Sequence, residues 1–297
     1  MNKWRYRYQG ATVLSDLEVP EWEPFADAGD SSEFDVSVRV EPRSAGEEEP
    51  AQTAREHRFY EKAAGWFRVR NGREIIVTPC ERFLPEQLRA FLLGSAWGAL
   101  MYQRGQLIIH ASAVRSGNGG VAFCAACGGG KSTLAAALIS RGYPFLSDDL
   151  CYVETVNSGP PVAHPSTFRL KLWEEAFHQL GRKVPESVSD QIQPGKFQCL
   201  PDARERAPLA LRGVYLLSWG QLGIDRVTGL AALQRFLTAA TWRGRLLFST
   251  GDPGVYFQQC ADVLRTVPVW EFRRPRELST LDESATILER HLRDQLL

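Results

Sequence analysis

No stretch of this chain approaches the ~18–20 uninterrupted apolar residues of a membrane-spanning helix, and its opening residues, Met1 to Tyr6, lack the apolar core of a secretion signal. Both absences predict a cytoplasmic protein without a membrane partner. Charge of one sign is not in excess either. The 35 Lys and Arg balance 35 Asp and Glu, so no global basic field argues for nucleic acid and no acidic surplus for a solvating tail. The six cysteines, at positions 80, 124, 127, 151, 199 and 260, lack the paired spacing of a structural zinc site. Only Cys124-Ala-Ala-Cys127 suggests a redox switch, and it reads rather as a small hydrophobe in a strand followed by a small loop residue. Histidines number only five, and no internal repeat is evident.

What remains is an ordinary globular composition: 297 residues, 44% hydrophobic and 24% charged, enough for one large or two modest domains. Residues 1–80 read as β-rich. Trp4, Tyr6 and Tyr8 alternate, as do Val36, Val38 and Val40. Trp66 to Arg70, Asn71-Gly72 and Glu74 to Thr78 form the clearest hairpin signal. The acidic, unpatterned run Glu41 to Pro50 reads as a solvated loop. Residues 81–297 then read as a separate nucleotide-binding domain. It opens with a long core helix from Pro85 to Tyr102, followed by a hairpin turning at Ser116 to Gly120.

That hairpin feeds the most informative segment, Cys127-Gly128-Gly129-Gly130-Lys131-Ser132-Thr133, between the apolar run Val121 to Ala126 and a helical pattern from Leu134 to Arg141. Strand, glycine-rich turn and helix start in this order make a phosphate-binding loop. Glycines let the backbone close around an anion so that several N–H groups and the positive end of the helix dipole face phosphate oxygens. Lys131 would reach the β- and γ-phosphates of ATP, and the Ser132 hydroxyl would join the shell of a Mg²⁺ bridging them. The full pattern has glycine at position 125, where this chain has Ala125. Alanine fits there only if the backbone avoids positive φ.

One helix later stands Asp148-Asp149, at the end of a predicted strand, where α/β nucleotide enzymes gather their ligands. Neighbouring strand residues point to opposite sides, so one carboxylate can hold Mg²⁺ while the other takes the proton of an acceptor hydroxyl. His110, just before the hairpin, is a candidate for the same site; His57, His164, His178 and His291 give no functional signal. Arg169, Lys171, Arg243 and Arg245 are cations available to a developing negative charge, with nothing to choose between them.

The order His110-Ala-Ser-Ala-Val, Ser-Gly-Asn-Gly-Gly-Val-Ala-Phe, Cys-Gly-Gly-Gly-Lys-Ser-Thr and Phe-Leu-Ser-Asp-Asp resembles the HPr kinase/phosphorylase family, most closely over residues 105–155. The resemblance implies an α/β fold: a P-loop mixed sheet with flanking helices, shared with ATP-dependent phosphoenolpyruvate carboxykinases and here preceded by the small β-rich region. It also implies a catalytic-site role for His110, a general base at Asp148 and a metal ligand at Asp149, the last two roles being exchangeable. Tyr8 to Pro20, Pro165 to Trp173, Val267 to Trp270 and Arg274-Pro275 look like the shorter HPr kinase-like proteins, some of which phosphorylate a C-terminal serine of lasso peptide precursors. The Glu-x-Arg-Gly-x-Gly signature of true HPr kinases is absent after the aspartate pair. The resulting expectation is an ATP- and Mg²⁺-dependent serine kinase acting on a peptide or protein, plausibly a lasso precursor, with homo-oligomeric assembly open. A nucleotide-gated regulator without transfer chemistry and a carboxykinase-type small-molecule enzyme are the alternatives.

Overall fold

The computed structural model describes residues 3–29, 33–42, 51–155, 159–185 and 195–296; most of the acidic run 41–50 therefore lies outside the described residues. The chain divides into two compact units. One comprises Met1–Ile108 with Trp242–Gln258, the other Ile109–Thr241 with Gln259–Leu297. This differs from a division at residue 80: the helical segment after the first strands, and a second segment far along the chain, group with the N-terminal strands.

The first unit is built on a seven-stranded sheet. In chain order its strands are β1 (Trp4–Tyr8), β2 (Ala11–Ser15), β3 (Val36–Val40), β4 (Ala51–Gln52), β5 (Glu56–Glu61), β6 (Gly65–Arg70) and β7 (Glu74–Pro79). They lie in the order β1-β2-β3-β7-β6-β5-β4, with β3 parallel to both β2 and β7. Asn71 and Gly72 take φ of 52° and 63°, the left-handed conformations that turn β6 into β7. Alternation puts Val36, Val38, Phe67, Val69, Ile75 and Val77 in the core, all fully buried.

The predicted helix over 85–102 is interrupted. Pro85–Phe91 (α1) and Trp97–Gln103 (α2) are α-helical, but Leu92–Ala96 between them winds as a π-helix. Gly94 and Ser95 lie in this wider turn, and the Arg243 guanidinium donates to the Ser95 hydroxyl at 2.8 Å. A π-turn at such a point leaves the apolar spacing on either side helical, which is why periodicity alone does not reveal it. Trp97 donates its indole N–H to Gln9 at 2.8 Å within an aromatic cluster of Tyr8, Trp22 and Trp97.

The second unit holds an eight-stranded mixed sheet with helices around it. Its strands are β8 (Ile108–Ser116, whose first residue falls in the other unit), β9 (Gly119–Cys124), β10 (Phe145–Ser147), β11 (Leu150–Glu154), β12 (Val162–Ala163), β15 (Leu209–Trp219), β16 (Gly223–Val227) and β17 (Val269–Arg274); β13 (Leu170–Trp173) and β14 (Lys196–Cys199) form a separate antiparallel pair. At the centre, β9 and β17 run parallel to β15 on either side. Strand β8 is antiparallel to both β9 and β10. The end of β9, the end of β10 and the first part of β8 therefore come to the same end of the sheet. Helix α3 (Lys131–Ser140) follows β9 and is apolar nearly all round. Leu134, Ala135, Leu138 and Ile139 are buried, and each buried Leu or Ile contributes roughly 1.5–3 kcal/mol relative to exposure. Its C-terminal end is fixed to the helix Leu281–Leu296 by Arg141, which pairs with Asp282 and Glu289.

Candidate active site

The register explains why residues far apart in sequence meet. Ala111 on β8 lies opposite Cys124, the last residue of β9, so His110 sits at the mouth of the loop that follows. Ser147 on β10 lies opposite Ala113, which brings the next residue, Asp148, beside Ser112. The Ser112 hydroxyl donates to Asp148 Oδ1 at 2.5 Å, and the Ser132 hydroxyl, one residue into α3, donates to the same carboxylate at 3.0 Å. Ser112 is fully buried and was not among the sequence candidates. Its partner is 36 residues away, and only the strand register joins them.

The glycine loop has the conformation its composition suggests. Gly128 and Gly130 take φ of 79° and 74°, and Gly130 precedes α3 with no side chain to cap it, leaving the first N–H groups of the helix to a ligand. Ala125 is not in the left-handed region, so its side chain brings no backbone strain. Its methyl does occupy room, since a Cβ on Gly129 would come within 2.5 Å of it. Cys127 and Gly128 are exposed, whereas Lys131 is 7% exposed and Thr133 intermediate. The Lys131 ammonium is folded onto the loop, donating to the carbonyls of Ala125 at 3.0 Å and Ala126 at 3.4 Å. Burial pushes its pKa down, with Asp148 opposing.

The two aspartates occupy different environments. Asp148 is enclosed, and burial raises its carboxyl to about 6, against the pull of the two serine hydroxyls and Lys131. Asp149 projects outward with its side chain 63% exposed, on a backbone of φ 67°, a conformation uncommon outside glycine that aspartate tolerates better than most. Its Oδ1 stands 3.6 Å from His110 Nε2, in Coulombic contact but longer than a hydrogen bond. Burial first, and Lys131 second, push the His110 pKa down to about 4, so the ring is neutral near pH 7.

Among the described residues no group of three His, Cys, Asp or Glu side chains would hold a metal unaided. One enclosed carboxylate beside a helix-start hydroxyl does suit Mg²⁺ that arrives on phosphates, because that ion keeps most of its shell from water and phosphate oxygens.

Of the cations named from sequence, Arg243 belongs to the other unit, where it hydrogen-bonds Ser95 and lies over the Trp242 ring. The arginine that meets the glycine loop is Arg274, at the end of β17, donating to the Gly129 carbonyl at 2.7 Å. Nothing local in the sequence marks it, because it reaches the loop through the parallel pairing of β15 with β9 and β17.

No protein-family profile matches this chain, and no curated protein matches it. Among solved structures it is similar to the HPr(Ser) kinase/phosphatase from Coxiella burnetii, at 15% identity and a TM-score of 0.31, over 62% of this chain and 97% of that one. A likeness this remote carries no argument about activity. Nor is any helix among the described residues long and apolar enough to cross a membrane.

Proposed function

We propose that this protein is a cytoplasmic, ATP-dependent serine kinase that transfers the γ-phosphoryl group to a serine hydroxyl of a peptide or protein. The observation that carries the reading is the hydrogen bond between Ser132, at the first turn of α3, and Asp148, beside a second and exposed carboxylate at Asp149. A structural turn needs neither the half-buried hydroxyl–carboxylate pair nor an exposed carboxylate next to it. Phosphoryl transfer uses both, one to hold a cation and one to receive the acceptor proton.

In this reading the N–H groups at the start of α3, from Gly130 to Thr133, cradle the phosphates, and Lys131 leaves the Ala125 and Ala126 carbonyls to bind phosphate oxygens. Ser132 and Asp148 would hold Mg²⁺, which would neutralise phosphate charge. Asp149, exposed and 3.6 Å from His110 Nε2, accepts the proton of the serine hydroxyl. This division exchanges the two aspartate roles relative to the sequence-based assignment, because Asp148 already accepts two hydrogen bonds while Asp149 is open to an incoming hydroxyl. The segments Tyr8 to Pro20, Pro165 to Trp173, Val267 to Trp270 and Arg274-Pro275, which look like the short HPr kinase-like proteins, support a lasso precursor with a C-terminal serine as the acceptor.

The test is mass-spectrometric detection of phosphate transfer from ATP and Mg²⁺ to HPr and to a panel of precursor peptides ending in serine. Wild type should add one phosphate to a peptide. Lys131→Ala should not, and Asp149→Asn should bind ATP while losing at least ~100-fold in transfer rate. Clear ATP binding with no transfer to any acceptor would instead favour a nucleotide-gated regulator.

A further inference from the structure

Among the described residues Arg274 is a buried guanidinium without an anion. It is 5% exposed, and burial alone pushes its pKa down to about 10. Its contacts are the Gly129 carbonyl at 2.7 Å and the face of Trp219, whose ring centre lies 4.4 Å from the guanidinium carbon; its Nε meets no partner. No Asp or Glu among the described residues pairs with it. Burying an arginine in this way is costly unless a counter-charge completes it. The side chain is also aimed at one place. A Cβ on Gly130 would come within 2.3 Å of Arg274 Nη2, so the guanidinium lies against Gly129 and Gly130, at the loop's entry into α3.

The neighbours fix that position. Trp219 and Arg274 are register partners at the ends of β15 and β17, and the Gly220 N–H donates to the Arg274 carbonyl at 3.0 Å. A stacked ring restricts the guanidinium plane while leaving its in-plane N–H groups free for a planar or tetrahedral oxyanion.

We infer that Arg274 is a phosphate-binding residue of the glycine loop, held ready by Trp219, which releases the Gly129 carbonyl and donates to the polyphosphate chain when a nucleoside triphosphate enters. The inference rests on the reading of residues 127–133 as a phosphate loop. It adds a second cation, from the far end of the chain, to Lys131.

The experiment measures binding of Mg²⁺-ATP and of Mg²⁺-tripolyphosphate by calorimetry, with melting temperatures of the free proteins, for wild type, Lys131→Ala, Arg274→Met, Arg274→Lys and Trp219→Phe. Arg274→Met should bind both ligands 10- to 100-fold more weakly, the range expected for a charge-assisted hydrogen bond. Its free form should melt no lower than wild type, since a methionine fills the site without a buried charge. Tryptophan emission should change when tripolyphosphate is added to wild type, and the change should shrink in Trp219→Phe. Wild-type affinity in Arg274→Met, alongside weakened binding in Lys131→Ala, would overturn this inference and leave the loop reading standing. Failure of wild type to bind either ligand would overturn both. If Arg274→Met does not fold, Arg274→Lys decides by the same affinity criterion, because a lysine keeps the charge but not the forked donors.

Discussion

Replacing Asp148 with asparagine should stabilise the protein at alkaline pH, although it removes a residue of the candidate site. The Asp148 carboxyl has an ordinary value of 3.8 and is raised to about 6 in the folded protein. Ionising it there is therefore harder than in the unfolded chain by about 3 kcal/mol, taking 1.36 kcal/mol per pKa unit. A raised carboxyl contributes full stability below pH 3.8 and loses it progressively as pH rises through about 6. Asparagine is neutral throughout and keeps a carbonyl oxygen for Ser112 and Ser132. Relative to wild type, Asp148→Asn should thus gain little near pH 4 and up to about 3 kcal/mol at pH 8, or roughly 6–12 °C in melting temperature for a unit of this size. Other titrating groups are common to both proteins and cancel in the difference. Differential scanning calorimetry of the pair from pH 4 to 8 reads the effect directly. Addition of Mg²⁺-ATP at pH 8 should narrow the gap by stabilising wild type. A gap that does not grow with pH, or an asparagine variant less stable at pH 8 than at pH 4 relative to wild type, would refute the account of Asp148 as a carboxylate whose desolvation outweighs its hydrogen bonds.

His110 titrates in the opposite sense. Its pKa is lowered from 6.5 to about 4, so the stability it contributes is complete above pH 6.5 and is lost as pH falls toward 4, by about 3 kcal/mol; in His110→Asn that part of the acid loss should vanish, and identical acid transitions in urea titrations would contradict it. Gly129→Ala should cost about 1–3 kcal/mol by overpacking against Ala125, whose Cβ would be 2.5 Å away. Adding Ala125→Gly should recover most of that in thermal melts, and a Gly129→Ala protein as stable as wild type would show that the loop yields freely. In the other unit, a Cβ on Gly98 would meet the Trp242 ring at 2.4 Å, so Gly98→Ala should also lose about 1–3 kcal/mol by denaturant unfolding, and an unchanged midpoint would show that the ring gives way.

What the sequence discloses of this site is what local chemistry encodes. Three glycines before Lys131-Ser132-Thr133 determine a turn and a helix start within a few residues, and Asp148-Asp149 follows at a readable spacing. Ser112 and Arg274 are different. They lie 36 residues from Asp148 and 145 from Gly129, and strand register and the parallel ladder of β15 bring them in. Neither register nor ladder leaves a mark on the residues themselves. The π-turn at Leu92–Ala96 escaped for a related reason, since the apolar spacing reads as one helix across it. The unit boundary was hidden because Trp242–Gln258 joins the first unit through tertiary contacts formed far along the chain.

The position of β15 has a consequence for the growing polypeptide. Strand β9 is buried along its whole length and takes β8 on one edge as soon as their hairpin forms. Its other edge belongs to β15, a strand that begins only at Leu209. Until that strand has left the ribosome, the apolar strand feeding the glycine loop presents an open row of N–H and C=O groups. Such an edge is prone to pair with another chain. Fragments ending between α3 and β15 should therefore aggregate rather than survive as small nucleotide-binding pieces, and the nascent chain has reason to meet a chaperone during that interval.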